Sequence, residues 1–399
     1  MLFGGTRGRK IMPLDFDTPT TRVYGPEFRQ FFGDLLGGRT MQFFSRKERK
    51  QLIKAFGEAR THTAPPDDLN AFTFLKHWMD DHPPALSFPA NAGEFPAWKE
   101  QARSKLRELM GHPFAEVGLS PEVVHEETAR GITIQKVKYA TQPYMNVVAL
   151  LAFPEGSAED APRPAMVCLP GHGAGKVGSI GFAWTPNHET YGIDLAARGF
   201  VTITLDQFGF GERIPRADHW MPGPEGVYMR VPQMLGLSAI GLRAWDVVRT
   251  IDFLETLPFV DKANIGCVGN SGGGMTTSFA AAVDERIRAA VISGYFCSWL
   301  YSIISLAHCP CNYMPHLMEY FTIADIVAMR APQPTFIVSG EKDKIFPQAG
   351  VQEAYKIAQQ AYELAGAPEN LGIHVMSKTY HRFSGEKSYP WLEAQLKSL

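Results

Sequence analysis

Long apolar runs are missing from this 399-residue chain. No segment reaches the roughly eighteen uninterrupted apolar residues that a membrane-spanning helix needs, and the basic stretch Met1 to Lys10 is not followed by the apolar core of a secretion signal. Membrane spanning and export are therefore not expected, and a cytoplasmic location is. A large excess of one charge is missing too, since the formal net charge is -2. Only Arg46-Lys47-Glu48-Arg49-Lys50 is dense in basic residues, and it reads as the solvated face of a helix. Nucleic acid is thus not an expected partner. Cysteine is scarce and odd in number, with five, which fits a reducing compartment better than a disulfide framework. Cys168 and Cys267 fall inside apolar strand-like runs and read as small buried fillers. His308-Cys309-Pro310-Cys311 offers an imidazole and two thiols, but no second Cys/His pair at zinc-site spacing accompanies it. That segment reads as buried and irregular, and neither a metal nor another cofactor is expected.

What remains is an ordinary globular composition, 45% hydrophobic and 20% charged, with length enough for one large core or two domains. Residues 1–120 read as a helical extension: four helix-like stretches with Pro/Gly-rich connections and few strand signals. In the clearest, Glu94 to Met110, the residues Trp98, Ala102, Leu106, Leu109 and Met110 recur every three or four positions and form one apolar face. The stretch Pro26 to Leu36 carries Phe28, Phe31, Phe32, Leu35 and Leu36, enough apolar surface to cover a pocket, to form a homodimer contact or to pack internally.

Residues 121–399 read differently. Val123-Val124, Ile132 to Ala140 and Val147 to Phe153 follow one another at hairpin distances. Short β-branched runs then alternate with helical stretches: Ala165 to Leu169, Phe200 to Leu205, Ile265 to Val268, Ala289 to Ser293, Thr335 to Val338 and Ile373 to Met376. Between the second and third runs, Ile240 to Leu257 has a helical apolar face, which implies a βαβ crossover and a parallel sheet. The expectation is an α/β-hydrolase fold, a mostly parallel central sheet flanked by helices.

That fold gives meaning to Gly269-Asn270-Ser271-Gly272-Gly273, the single G-x-S-x-G of the chain, placed where a strand meets a helix. A serine held on such a sharp turn projects from the sheet, where a base and an anion-binding site can both reach it. The fold requires an acid and then a histidine on later strand-end loops. Asp343, after the Thr335 to Val338 strand, is the expected acid; Glu341 abuts the strand end, whereas Asp343 begins an Asp-x-x-x-Pro turn. His381 follows the last strand and is the expected base, while His374 lies within that strand and should face the sheet packing. Oxyanion donors are expected from the backbone of Gly272 and, in Pro170-Gly171-His172-Gly173-Ala174-Gly175, from Gly173 or Ala174. The His172 side chain is expected to brace its loop, as are Glu212 and Arg213. Tyr295, Phe296, Trp299, Tyr313 and Trp220 are the expected pocket aromatics.

The loop Pro170 to Gly175, the run Leu205 to Arg213, Trp245-Asp246, Gly269 to Gly274 and Cys309-Pro310-Cys311-Asn312-Tyr313 together resemble the α/β-hydrolase subgroup that holds dienelactone hydrolase-like and acetyl-xylan-esterase-like proteins. The resemblance covers about Trp98 to Trp391. It implies a serine esterase that acts on small acyl or carbohydrate esters without a cofactor. The related glucuronoyl esterases carry an arginine directly after the nucleophile; Gly272 stands there, which counts against glucuronate methyl esters. Prolyl-oligopeptidase-like peptidases share the elbow but have N-terminal propellers far longer than 120 residues. Two alternatives share the motif set: a C–C bond or lactone hydrolase using the same three residues, and a catalytically silent module that binds a ligand or partner.

Overall fold

The computed structural model describes residues 45, 47, 48, 50, 51, 70–88, 93–111, 114–187, 189–214 and 227–397. The stretch Pro26 to Leu36, Arg46 and Arg49 of the basic run, and Trp220 lie outside them. No helix among the described residues is long and apolar enough to cross a membrane.

Among the described residues, nine strands form one sheet in the order β1-β2-β3-β5-β4-β6-β7-β8-β9. Strands β1 (Glu122–Ala129), β2 (Ile132–Gln142) and β3 (Met145–Pro154) make an antiparallel meander, and β3 pairs antiparallel with β5 (Val201–Leu205). From β5 onward, β4 (Arg163–Leu169), β6 (Val260–Asn270), β7 (Ile287–Ser293), β8 (Thr335–Gly340) and β9 (Leu371–Met376) are parallel. The edge strand β1 is exposed along its whole length and carries Glu122, His125, Glu126 and Glu127, charges that discourage pairing with another sheet.

Helices on both faces explain why the inner strands read as apolar runs and not as alternation. Every residue of β5 and β8 is buried. Ala165, Val167 and Leu169 of β4 share one core with Val247 and Ile251 of a helix at Ala239–Glu255. Met166 and Cys168 share the opposite core with Tyr191 and Leu195 of a helix at Tyr191–Ala196 and with Leu392 and Leu396 of the last helix, Gly385–Leu396.

In chain order the helices are α1 (Ala71–Asp81), α2 (Phe95–Met110), α3 (Tyr191–Ala196), α4 (Ala239–Glu255), α5 (Gly272–Val283), α6 (Ile323–Ala328), α7 (Gln348–Leu364) and α8 (Gly385–Leu396), with single turns between some of them. Helix α2 carries Pro96 in its first turn and stops at Gly111, which takes the left-handed conformation (φ 83°) that an L side chain resists. It buries Phe95, Trp98, Ala102, Arg103, Leu106 and Met110, and its apolar members join the core that holds β4 and α4. Helix α1 buries no residue and exposes Phe72, Phe74, Leu75 and Trp78. The antiparallel entry, the parallel run and the serine after β6 make this an α/β-hydrolase fold. Its parallel strands all end on one side, where the loops after β4, β6, β7, β8 and β9 converge.

Candidate active site

Ser271 occupies the one-residue turn between β6 and α5, with φ 55° and ψ -119°. A non-glycine residue at positive φ is strained, and the surroundings must hold it there. They do so by close approach of backbone. A Cβ on Gly273 would overlap the Leu169 carbonyl at the end of β4, and one on Gly269 would overlap the Gly273 backbone. The Ser271 backbone N–H donates to the Ser293 carbonyl of β7 (2.9 Å), which fixes the turn against the neighbouring strand.

Asp343 and His381 meet across the ends of β8 and β9: Nδ1 of His381 lies 2.7 Å from Oδ2 of Asp343. The other carboxylate oxygen accepts the backbone N–H groups of Ile345 (2.8 Å) and Phe346 (3.1 Å). Three donors therefore hold a carboxylate that is 4% exposed, which is how a buried charge is tolerated. The imidazole stacks on Phe346, with ring centroids 5.7 Å apart, and packs against Gly294, where a Cβ would come within 2.8 Å of its Cε1. Gly294 itself sits at φ 55°. Nε2 of His381 is buried with no hydrogen-bond partner among the described residues, and His381 and Ser271 line the same cavity of about 660 Å³. Glu341 lies apart: it is exposed and accepts from the Lys378 N–H (2.5 Å) and the Ser377 hydroxyl (3.2 Å). Those bonds, the Lys378 N–H first, hold its carboxyl below the usual range.

Behind Ser271 lies a carboxylate that the sequence did not single out. Glu189, 4% exposed, accepts from Asn270 Nδ2 (2.8 Å) and from the Gly171 N–H (3.1 Å). Asn270 in turn accepts the Ser293 hydroxyl (2.7 Å). One side chain thus ties the residue before Ser271 to the loop after β4. Burial pushes the Glu189 carboxyl up, against the downward pull of its hydrogen bonds. Gln207 adds a second tie, donating to the Pro170 carbonyl (2.6 Å) and accepting from Thr276 of α5. Further along the same loop, buried Lys176 pairs with Asp206 (2.5 Å) and Glu212 (2.6 Å), while Arg213 pairs with Asp246 (2.5 Å); Glu212 and Arg213 brace loops as expected.

Residues 67–389 match the Abhydrolase family, well over half of the chain. The chain belongs to that family. YtaP of Bacillus subtilis (strain 168), to which a hydrolase role is ascribed, is 25% identical over 220 residues, spanning 53% of this chain and 70% of YtaP. Among solved structures, a Bacteroides fragilis NCTC 9343 protein to which acetyl xylan esterase activity is ascribed superposes with a TM-score of 0.66 at 20% identity, covering 80% of this chain and 84% of that one. A glucuronoyl esterase from Solibacter usitatus superposes at 0.58 with 17% identity, covering 78% and 96%. These likenesses establish the shared fold.

Within this Abhydrolase chain the expected site residues divide. Ser271, Gly272 and Tyr295 line the cavity with His381, and Asp343 supports His381 from behind. Phe296 and Trp299 do not line it. They are buried in the core shared with α6 and α7, where the Trp299 indole donates to the Phe321 carbonyl (3.0 Å); aromatic surface after β7 was needed to fill the interior. Tyr313 lines a separate apolar groove with Trp78 of α1, Ile303 and Ile304. Gly173 and Ala174 are exposed and off the cavity wall; the residue of that loop on the wall is His172. At the start of that loop the Gly171 N–H donates to Glu189 (3.1 Å), and Gly173 and Gly175 take positive φ. The His172 ring rests against Gly272, where a Cβ would come within 2.8 Å of its Cε1. An arginine at 272 would therefore displace His172.

Proposed function

We propose that the protein is a serine carboxylic-ester hydrolase that works through an acyl-enzyme on Ser271 and takes a small polar ester, with an acetylated carbohydrate as the leading substrate class. The observation that carries this reading is the pairing of His381 with a three-times-bonded Asp343 beside a serine held at positive φ. Ser271 Oγ attacks the ester carbonyl as His381 Nε2 takes its proton. Asp343 keeps the Nδ1–H tautomer and stabilises the imidazolium. His381 then hands that proton to the departing alcohol. Water repeats the sequence on the acyl-serine, which releases the acid and restores Ser271. Backbone N–H groups of Gly272 and His172 are assigned to the oxyanion, in place of Gly173 or Ala174. The unpartnered Nε2 of His381 is compatible with this role, since the nucleophile–base bond often tightens only in the loaded enzyme.

The substrate class follows from the wall chemistry. Asn187, Asn312, Lys344 and His308 face the cavity with Tyr295, whose buried hydroxyl has no partner among the described residues. A hydroxyl-rich alcohol satisfies such groups better than a long acyl chain does. Solved structures that share the fold include an acetyl xylan esterase from Paenibacillus sp. R4 (TM-score 0.54), which supports an acetyl ester. Burial, and then the neighbouring His172 and His381, hold His308 below the usual histidine value, so it faces the substrate as a neutral ring. A panel of p-nitrophenyl esters from acetate to octanoate, together with acetylated xylo-oligosaccharides, tests the reading. Turnover should fall with acyl length and vanish in Ser271→Ala; turnover that survives that substitution overturns it.

A further inference from the structure

Folding brings His172, Cys309 and Cys311 together so that one nitrogen and two sulfurs all lie within 4.8 Å of one another. We infer that these three residues form a binding site for a zinc-class divalent cation, which clamps the loop after β4 to the segment after β7 on the wall of the catalytic cavity. The inference concerns metal binding itself and stands whether or not the protein is an esterase.

The donor set and its spacing suit the ion. Zinc takes thiolate and imidazole ligands in a tetrahedron, at roughly 2.3 Å to sulfur and 2.0 Å to nitrogen; a nitrogen–sulfur edge of that tetrahedron is about 3.5 Å. The distance between His172 Nε2 and Cys311 Sγ is 3.5 Å. Both sulfurs already receive N–H groups: the Cys311 backbone donates to Cys309 Sγ (3.5 Å), and Asn312 Nδ2 donates to Cys311 Sγ (3.7 Å). Such donors stabilise a thiolate and orient a ligand. Pro310 stiffens the link between the two cysteines, and the imidazole is held edge-on to Phe210, with ring centroids 5.4 Å apart, and close against Gly272. Ring and sulfurs are therefore positioned before a metal arrives.

The other three cysteines show what structural thiols look like here. Cys168, Cys267 and Cys297 are dispersed and buried, and burial raises all three thiols, Cys267 and Cys297 to about 12. Three protein ligands leave one tetrahedral position, and His172 and Cys309 both face the cavity that holds Ser271. Binding converts both thiols to thiolates and releases their protons to solvent. Spacing along the chain hides the cluster, because Cys311 and His172 are 139 positions apart.

The test uses the full chain, thiol-reduced, incubated with Zn²⁺, desalted and analysed by inductively coupled plasma mass spectrometry, with Co²⁺ as a spectroscopic stand-in. One zinc per chain and a near-ultraviolet thiolate-to-cobalt charge-transfer band are expected. Cys309→Ser, Cys311→Ser and His172→Gln should each weaken binding at least about 100-fold, since loss of a ligand costs more than loss of an outer-shell partner. His172→Cys, which restores a donor, should keep the metal. Oxidation that closes a Cys309–Cys311 bond should abolish uptake. Reduced wild type that retains no zinc, or that binds Co²⁺ without a thiolate band, overturns the inference without reference to any variant. Folded variants that bind as tightly as wild type, or equal uptake by oxidised protein, overturn it as well.

Discussion

Two walls of one cavity are built on opposite principles. On the His381 wall Asp343 receives three donors, the His381 ring among them, while the buried His381 Nε2 has no hydrogen-bond partner among the described residues and shares the cavity with Ser271. On the His172 wall the groups are softer: the His172 ring and the Cys309 and Cys311 thiols come together at the Pro310–Asn312 turn, with one nitrogen and two sulfurs all within 4.8 Å of one another. The first wall is an oxygen–nitrogen pair fixed by backbone donors. The second is the nitrogen–sulfur cluster that the zinc inference concerns. The contrast teaches that the groups around a side chain matter as much as its identity: His381 is held through Nδ1 by a carboxylate, whereas His172 lies beside two sulfurs.

Cutting the support of the first wall should have the largest effect. Asp343→Asn preserves shape but presents an amide to His381 Nδ1 and favours the wrong tautomer, so ester turnover should fall by about 10⁴-fold. Glu341→Gln, in an exposed group tied to Ser377 and Lys378, should change turnover less than about twofold, since surface changes are worth within about 0.5 kcal/mol. Steady-state kinetics on the two variants decides between the acids; reversed effects would mean that Asp343 is structural.

A smaller effect is expected where the two walls are joined. Glu189 links Asn270 to Gly171, and a glutamine there would leave one of two buried donors without an acceptor, at about 1–3 kcal/mol. The pH dependence has a definite sign. Burial raises the folded carboxyl above its ordinary 4.5, so the stability it contributes is complete below 4.5 and is lost as pH rises through the folded value. Urea unfolding of wild type and Glu189→Gln across that window should therefore show the variant's deficit shrinking as pH rises. A deficit that grows with pH would mean that the hydrogen bonds outweigh burial.

The sequence carried the first wall almost entirely. Ser271 was legible because a tight turn demands local glycines, and Asp343 and His381 because the fold imposes an order on strand-end loops. The second wall was not legible in the same way. Glu189 is 81 positions from Asn270 and sits in a loop with no periodicity to mark it. The cysteine segment looked solitary because its third member comes from the loop after β4. Phe296 and Trp299 misled for a different reason: after β7 the chain turns inward, and apolar aromatics there satisfy the core before they satisfy a pocket. Glycine content marked the loop after β4 but not which of its residues lines the cavity, where His172 stands and Gly173 and Ala174 do not.

The central claim is that Ser271 is the covalent nucleophile, and intact-protein mass spectrometry after treatment with a fluorophosphonate tests it most directly. Wild type should gain the mass of a single phosphonyl group, located by peptide mapping on Ser271, and Ser271→Ala should gain none. An adduct on another residue, or equal labelling of the alanine variant, would contradict the account.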